Sequence, residues 1–282
     1  MRKTLSALLL VCALTLSATG CANQNSSSSF PTDASWDSTR SAGTLVVAVE
    51  ENFEPFSFVE EDGSLTGFAV DSASEVAKKL GLKVEFKTVL PASSQEALNS
   101  GEVDCVWSNY TKPAEDDLAT NLTFGYMKSS QVIVALADSP LSNLADLKGQ
   151  RVGVKEGSGG EKALADSTTF KECLADLGMY RDYAQAKESL DNRRISAVVM
   201  DEVSAEYYVK QNPKNYRILG KSKNEPAETL GTGDYSVAFR KADESLTLKV
   251  QEALNELSAD GTITRLSKKW FGTDLSAASA TL

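Results

Sequence analysis

The residues best placed for chemistry in this chain stand where strands should end. Asp201 follows the apolar run ISAVVM, and Ser108-Asn109 follows the apolar run from Val103 to Trp107. In open α/β sheets, polar ligands lie beyond the carboxyl ends of the strands, so both positions fall at binding edges. Asp201 there can face a cleft with its carboxylate, and it can also cap the next helix, EVSAEYYVK. A third feature is Gly157-Ser158-Gly159-Gly160, just before the helical stretch EKALA. Glycines let the backbone come close to a ligand, and the amides of a helix start attract an anion such as a carboxylate. The stretch is not a phosphate-binding loop, because the Gly-Lys-Ser/Thr ending is missing.

Other chemistries are excluded by composition. The chain has no histidine. That removes Ser-His-Asp and Cys-His nucleophilic arrangements and all His-ligated metal sites. Cys105 and Cys173 form no zinc-type or redox-type spacing, and no cofactor is implied. They can pair as a disulfide in an exported protein, or they can be two separate buried thiols, one in a strand and one in a helix. A formal net charge of −10, without a basic patch interleaved with aromatics, argues against nucleic acid as a partner.

Strands and helices must alternate to position these groups. Leu45 to Val49, Leu82 to Phe86 and Val103 to Trp107 read as strands. Val70 to Leu80 has helical spacing and stops at Gly81, and Gln95 to Asn99 makes a short helix. A second series begins near Gln131. It has strands at Val132 to Leu136, Arg151 to Val154 and Ile195 to Met200, and helices at Glu161 to Ala165, Phe170 to Leu177, Ala186 to Leu190 and Val203 to Lys210. Asn143 to Leu147 adds a short helix to it. Ser236 to Phe239 is a strand, and helices follow at Glu244 to Leu257 and Ile263 to Trp270. Such alternation predicts parallel sheets with crossover helices. The segments 96–109 (EALNSGEVDCVWSN) and 188–201 (ESLDNRRISAVVMD) echo each other, each placing polar residues at the end of an apolar strand. Two such edges facing one another make a cleft between lobes.

The amino terminus reads as an export signal. Arg2 and Lys3 precede the apolar run Leu5 to Leu16, which is too short to span a bilayer and is followed by Ala18-Thr19-Gly20-Cys21. This resembles a bacterial lipoprotein signal, in which Cys21 becomes the lipid-modified amino terminus. That implies a cell-membrane location on the extracytoplasmic face. Residues 22–43 are rich in Ser, Asn, Asp and Thr, so residues 21–42 are expected to be a flexible tether, with Phe30 and Trp36 loosely held.

Several motifs occur in one order: ENFEPFSF (51–58), DGSLTGFAVD (62–71), NSGEVDCVW (99–107), LADLKGQRVGVKEGS (144–158), ISAVVMDEV (195–203), VAFRKAD (237–243) and LSADGTITRLSKKWFG (257–272). Over roughly Gly43 to Leu275 the chain resembles the bacterial extracellular solute-binding proteins of the polar amino acid type, the receptors of ABC importers. The resemblance implies an α/β, two-lobed periplasmic-binding-protein fold of type II with two crossover strands as the hinge. Lobe one is then residues 43–130 plus 232–275, lobe two residues 131–231, and residues 276–282 a tail. It also implies a non-catalytic monomer that hands a small polar solute, an amino acid above all, to membrane permease subunits.

The same resemblance assigns roles. Phe53 takes the place of an aromatic that stacks on the ligand, with an apolar core residue as the alternative reading. Glu50 matches an often acidic position that touches the ligand side chain, or else it is a solvated carboxylate. Ser108, Asn109, Tyr110 and Thr111 match the stretch that holds the amino and carboxylate groups. Asp201 matches the acid for the α-ammonium, and Ser158 and Gly159 lie in the carboxylate-binding turn.

One position departs from the pattern. The arginine that clamps the ligand's α-carboxylate in the family is replaced by Asp116, within Thr111-Lys112-Pro113-Ala114-Glu115-Asp116. Three readings stay open. Lys112 or Lys155 supplies the missing charge to an ordinary amino acid; the ligand is a carboxylate-free cationic amine read by Asp116 and Asp201; or the site is degenerate. A cyclohexadienyl-dehydratase-like enzyme and a receptor presenting its ligand to a sensor partner are the alternatives in function.

Overall fold

The computed structural model describes residues 33–107, 119–222 and 226–277. The first strands follow directly from their sequences. The run Thr44–Val49 (β1) is apolar and buries its last three residues completely or nearly so, as a strand covered on both faces must. After it come two short strands, β2 (Asn52–Phe53) and β3 (Ser57–Val59), which pair with β4 (Leu65–Thr66) in a small antiparallel sheet. Helix α2 (Phe68–Lys79) buries Phe68, Ala69, Ser72, Ala73, Val76 and Ala77 along one stripe. Gly67 joins sheet to helix at φ +132°, and a Cβ there would lie 2.2 Å from the Phe56 carbonyl oxygen. Only glycine permits this close approach, which packs the turn carrying Phe53 and Phe56 onto the start of α2.

Strand β5 (Lys83–Thr88) runs parallel to β1. Helix α3 (Ser94–Asn99) then leads to β6 (Cys105–Val106), parallel to β1 on its other side. Beyond it lies β7 (Thr120–Leu122). The chain then leaves this sheet through the long strand β8 (Met127–Leu136), which belongs to a second one.

The second sheet contains β9 (Arg151–Lys155), β10 (Asp176–Tyr180) and β11 (Ala197–Asp201), all parallel, with β8 antiparallel to β11. Its helices are α4 (Gly159–Asp166), α5 (Thr168–Cys173), α6 (Tyr183–Asp191) and α7 (Glu202–Gln211). Strand β12 (Tyr216–Ile218) closes the far side of β8. The chain returns through β13 (Gly231–Tyr235), which pairs antiparallel with residues 127–131 of β8, and re-enters the first sheet as β14 (Ala238–Arg240). Helices α8 (Glu244–Ala259) and α9 (Thr262–Phe271) then pack on α2. The first sheet has the order β5-β1-β6-β14-β7, the second β10-β9-β11-β8-β12. Two lobes joined by the β8 and β13 crossovers form the type II fold.

The fold corrects the sequence reading in several places. Residues 35–42 are not a tether but a helix, α1 (Ser35–Ala42), capped by Gly43 in the left-handed region. The Asp33 carboxylate accepts from the Ser35 and Ser245 amides, and Trp36 packs partly buried against the core. Polar composition predicts no core for this segment, yet hydrogen bonds to the start of α8 hold it. Leu174 to Leu177 does not continue a helix: Phe170, Cys173, Leu174 and Leu177 have helical spacing, but residues 176–180 form edge strand β10. Cys105 and Cys173 are not bonded, and while Cys105 is buried, Cys173 is exposed. Among the described residues no helix is long and apolar enough to cross a membrane.

Candidate ligand-binding cleft

Three strand ends converge. Lys155 is the last residue of β9 and Asp201 the last of β11, its neighbour in the second sheet. Glu50 follows β1 in the first sheet. The Lys155 Nζ reaches across and lies 2.6 Å from the Glu50 Oε1. Both side chains are shut from solvent, at 1% and 7% exposure. Glu50 is therefore not a solvated carboxylate. A charge buried this deeply is tolerated only with a close partner, and removing one member of such a pair costs about 3–5 kcal/mol.

Aromatic rings complete the surroundings of that ammonium. Its distance is 4.5 Å to the ring centre of Phe53 and 5.1 Å to that of Tyr183. Each ring presents a negative face, an interaction worth about 2 kcal/mol for a desolvated cation. Phe53 is fully buried and also stacks on Phe56, with ring centres 5.0 Å apart. It belongs to the core and to the cleft at once.

Asp201 gathers neutral donors. Its carboxylate accepts from Gln131 Nε2 at 2.8 Å, from Ser129 Oγ at 3.2 Å, from the Tyr183 hydroxyl at 3.2 Å and from the Tyr235 hydroxyl. Burial, then the charge of Asp201, pushes both tyrosine hydroxyls well above their usual range, so each keeps its proton and donates. Asp201 makes no side-chain cap to α7, so the capping alternative is not realised. Strand pairing explains the arrangement: β8 places Gln131 opposite Asp201 on one side and opposite Gly231 of the returning crossover on the other. Among the described residues, no lysine or arginine is within ion-pair distance of Asp201, and the buried Gln131 Oε1 accepts no hydrogen bond.

The model of the bacterial extracellular solute-binding proteins, family 3, matches residues 45–273. The chain belongs to this family. The L-cystine-binding protein TcyA of Bacillus subtilis (strain 168) is 32% identical over 281 residues, 98% of this chain and 100% of its own. The arginine-binding extracellular protein ArtP of the same organism is 31% identical over 274 residues, 96% and 98% of the two chains. Among solved structures, an ABC uptake transporter substrate binding protein from Streptococcus pneumoniae with bound histidine aligns with a TM-score of 0.78. It is 27% identical, over 88% of this chain and 100% of that one.

In this solute-binding chain the structure brings Glu50, Phe53, Lys155 and Asp201 into one buried cluster between the lobes. Ser158 and Gly159 adjoin it. Ser158 Oγ donates to the Lys155 carbonyl at 2.7 Å, and a Cβ on Gly159 would meet Gln131 Nε2 at 2.7 Å. The expected anion site at this turn is partly filled from within. The Glu161 carboxylate accepts the Gly157 amide at 2.7 Å, and Ser158 Oγ accepts the Glu161 amide at 3.3 Å. Ser108, Asn109, Tyr110, Thr111, Asp116 and Cys21 lie outside the described residues.

The candidate cleft also contains residues not expected from the sequence. Tyr183 and Arg181 follow β10, and reading that strand as helix hid both. Gln131, Ser129 and Tyr235 lie on the crossovers, where polar residues in apolar runs were the available signal. Glu50, Glu51, Asn52 and Thr88 to Pro91 from one lobe, with Arg181 and Asp182 from the other, line a cavity of about 110 Å³. Nearby, Ser204 Oγ donates to the Glu54 carbonyl at 2.7 Å and the Tyr208 hydroxyl to the Glu54 carboxylate at 3.0 Å.

Proposed function

We propose that this chain is the extracytoplasmic receptor of an ABC importer, lipid-anchored through Cys21, and that it captures an amino acid between its lobes without transforming it. One observation carries the reading of the site: Asp201 is a carboxylate at 1% exposure, held by neutral donors and without a cation beside it among the described residues. A ligand α-ammonium supplies that counter-charge, and the unpartnered Gln131 Oε1 offers it a second acceptor. The 127–131 and 231–235 crossovers serve as the hinge. Membership of the family and the amino acid binding of TcyA and ArtP support the ligand class.

The test is a thermal-shift and calorimetry screen of the refolded, unlipidated chain against the proteinogenic amino acids, cystine and carboxylate-free amines. A ligand at a hundred times its dissociation constant stabilises the fold by roughly 2.7 kcal/mol. A shift with an α-amino acid, recovered unchanged by mass spectrometry, is expected. A shift only with carboxylate-free amines would overturn the ligand class. For the anchor, Cys21→Ser is expected to move the expressed protein from the detergent phase to the aqueous phase.

A further inference from the structure

We propose that Lys155 sets the ligand class of this receptor by seating its own ammonium in the cation site built by Glu50, Phe53 and Tyr183, so that amino acids with cationic side chains are rejected. The proposal rests on the amino acid reading of the cleft and narrows it.

The seat has every part a guanidinium or alkylammonium group requires. It offers a carboxylate oxygen at 2.6 Å and two ring faces at 4.5 and 5.1 Å, all away from solvent. Its walls come from both lobes, Glu50 and Phe53 from one and Tyr183 from the other. A ligand cation lying between the lobes would be drawn to this place. Lys155 holds it first. As the last residue of β9 it is anchored beside the seat by strand pairing on both sides, to Tyr180 in register on β10 and, through Val154, to Val199 on β11. Its carbonyl accepts from Ser158 Oγ, which fixes the same residue from behind.

A tethered group competes intramolecularly, with an effective concentration far above that of a free solute. An arginine or lysine ligand would have to expel it and then leave two cations close together in a buried space, where like charges repel strongly. A ligand with a neutral side chain faces neither penalty. Lys155 thus also joins the lobes with an ion pair that a neutral ligand leaves in place.

The test compares the refolded chain with Lys155→Ala and the double variant Lys155→Ala/Glu50→Gln. For the unsubstituted protein, calorimetry is expected to show binding of a neutral amino acid and arginine weaker by about a hundredfold or more. In Lys155→Ala, arginine affinity is expected to rise about tenfold or more. Propylammonium, which carries no amino acid backbone, should raise the melting temperature of Lys155→Ala but not of the double variant or the unsubstituted protein. Arginine binding to the unsubstituted protein as tightly as a neutral amino acid would overturn the proposal, whether or not the variants fold. Absence of propylammonium rescue in a folded Lys155→Ala would overturn it too. Rescue without any amino acid binding would uphold the seat and sink the receptor reading, so the two failures are separable.

Discussion

Gln131 and Asp201 face each other across the antiparallel pair of β8 and β11, and the Gln131 amide donates to the Asp201 carboxylate at 2.8 Å. The crossover strand and the acid proposed to bind the ligand ammonium are therefore one unit. Any motion of the first lobe about β8 therefore acts on a strand that is hydrogen-bonded to Asp201, which couples the crossover to the candidate site.

Asp201→Ala is expected to abolish binding and to destabilise the fold. It strands the buried donors of Tyr183, Tyr235 and Gln131, each costing roughly 1–3 kcal/mol when unsatisfied. Tyr235→Phe removes one donor and leaves the acceptor supplied by others, so a loss of about 1 kcal/mol is expected. Urea unfolding and calorimetry on the two variants check this order. Unchanged affinity in Asp201→Ala would remove it from the site.

Much of this arrangement was legible from local patterns. Apolar runs ending in a polar residue located β1, β6 and β11, and with the last of them Asp201, while Glu50 came from the family resemblance. What escaped was non-local. The Glu50–Lys155 pair joins residues far apart in sequence, and nothing in RVGVK says that its lysine is buried. Strand β10 escaped because Phe170, Cys173, Leu174 and Leu177 imitate a helical stripe, while pairing with β9 decides the conformation. Helix α1 escaped because hydrogen bonds among Asp33, Ser35 and Ser245 hold it together with the packing of Trp36, and polar residues of this kind read as a tether.

Gly159→Ala tests the contact between the glycine turn and Gln131. The added Cβ would lie 2.7 Å from Gln131 Nε2, so the end of that side chain must shift and its hydrogen bond to Asp201 is disturbed. Weaker ligand binding is expected, with most of the loss absent when Gln131→Ala is already present. A double-mutant cycle should return a coupling of roughly 0.5–3 kcal/mol. Strict additivity would show that the turn and the amide act separately.

The two thiols should differ sharply in reactivity. Cys173 is exposed and should react with a thiol reagent in the native protein. Burial, then the neighbouring Asp104 charge, pushes the Cys105 thiol well above its ordinary range, so little thiolate forms. Labelling followed by mass spectrometry should find Cys173 modified within the native state and Cys105 only after denaturation. Rapid native labelling of Cys105 would contradict its place in β6.

The docking of α1 should be sensitive to acid. Burial acts to raise the pKa of Asp33, but hydrogen bonds from Ser245 and Ser35 together outweigh it and bring the carboxyl from 3.8 to about 2. A carboxyl depressed in the folded state stabilises fully above its unfolded value, and the contribution fades as pH falls from about 4 towards 2. Asp33→Ala should therefore lower the melting temperature at about pH 6, and the gap to the unsubstituted protein should close towards about pH 2. Hydrogen exchange at residues 35–42 reads the same event locally, with faster exchange in the variant at the higher pH and equal exchange at the lower. A gap that stays constant across this range would show that Asp33 holds α1 by packing rather than by its charge.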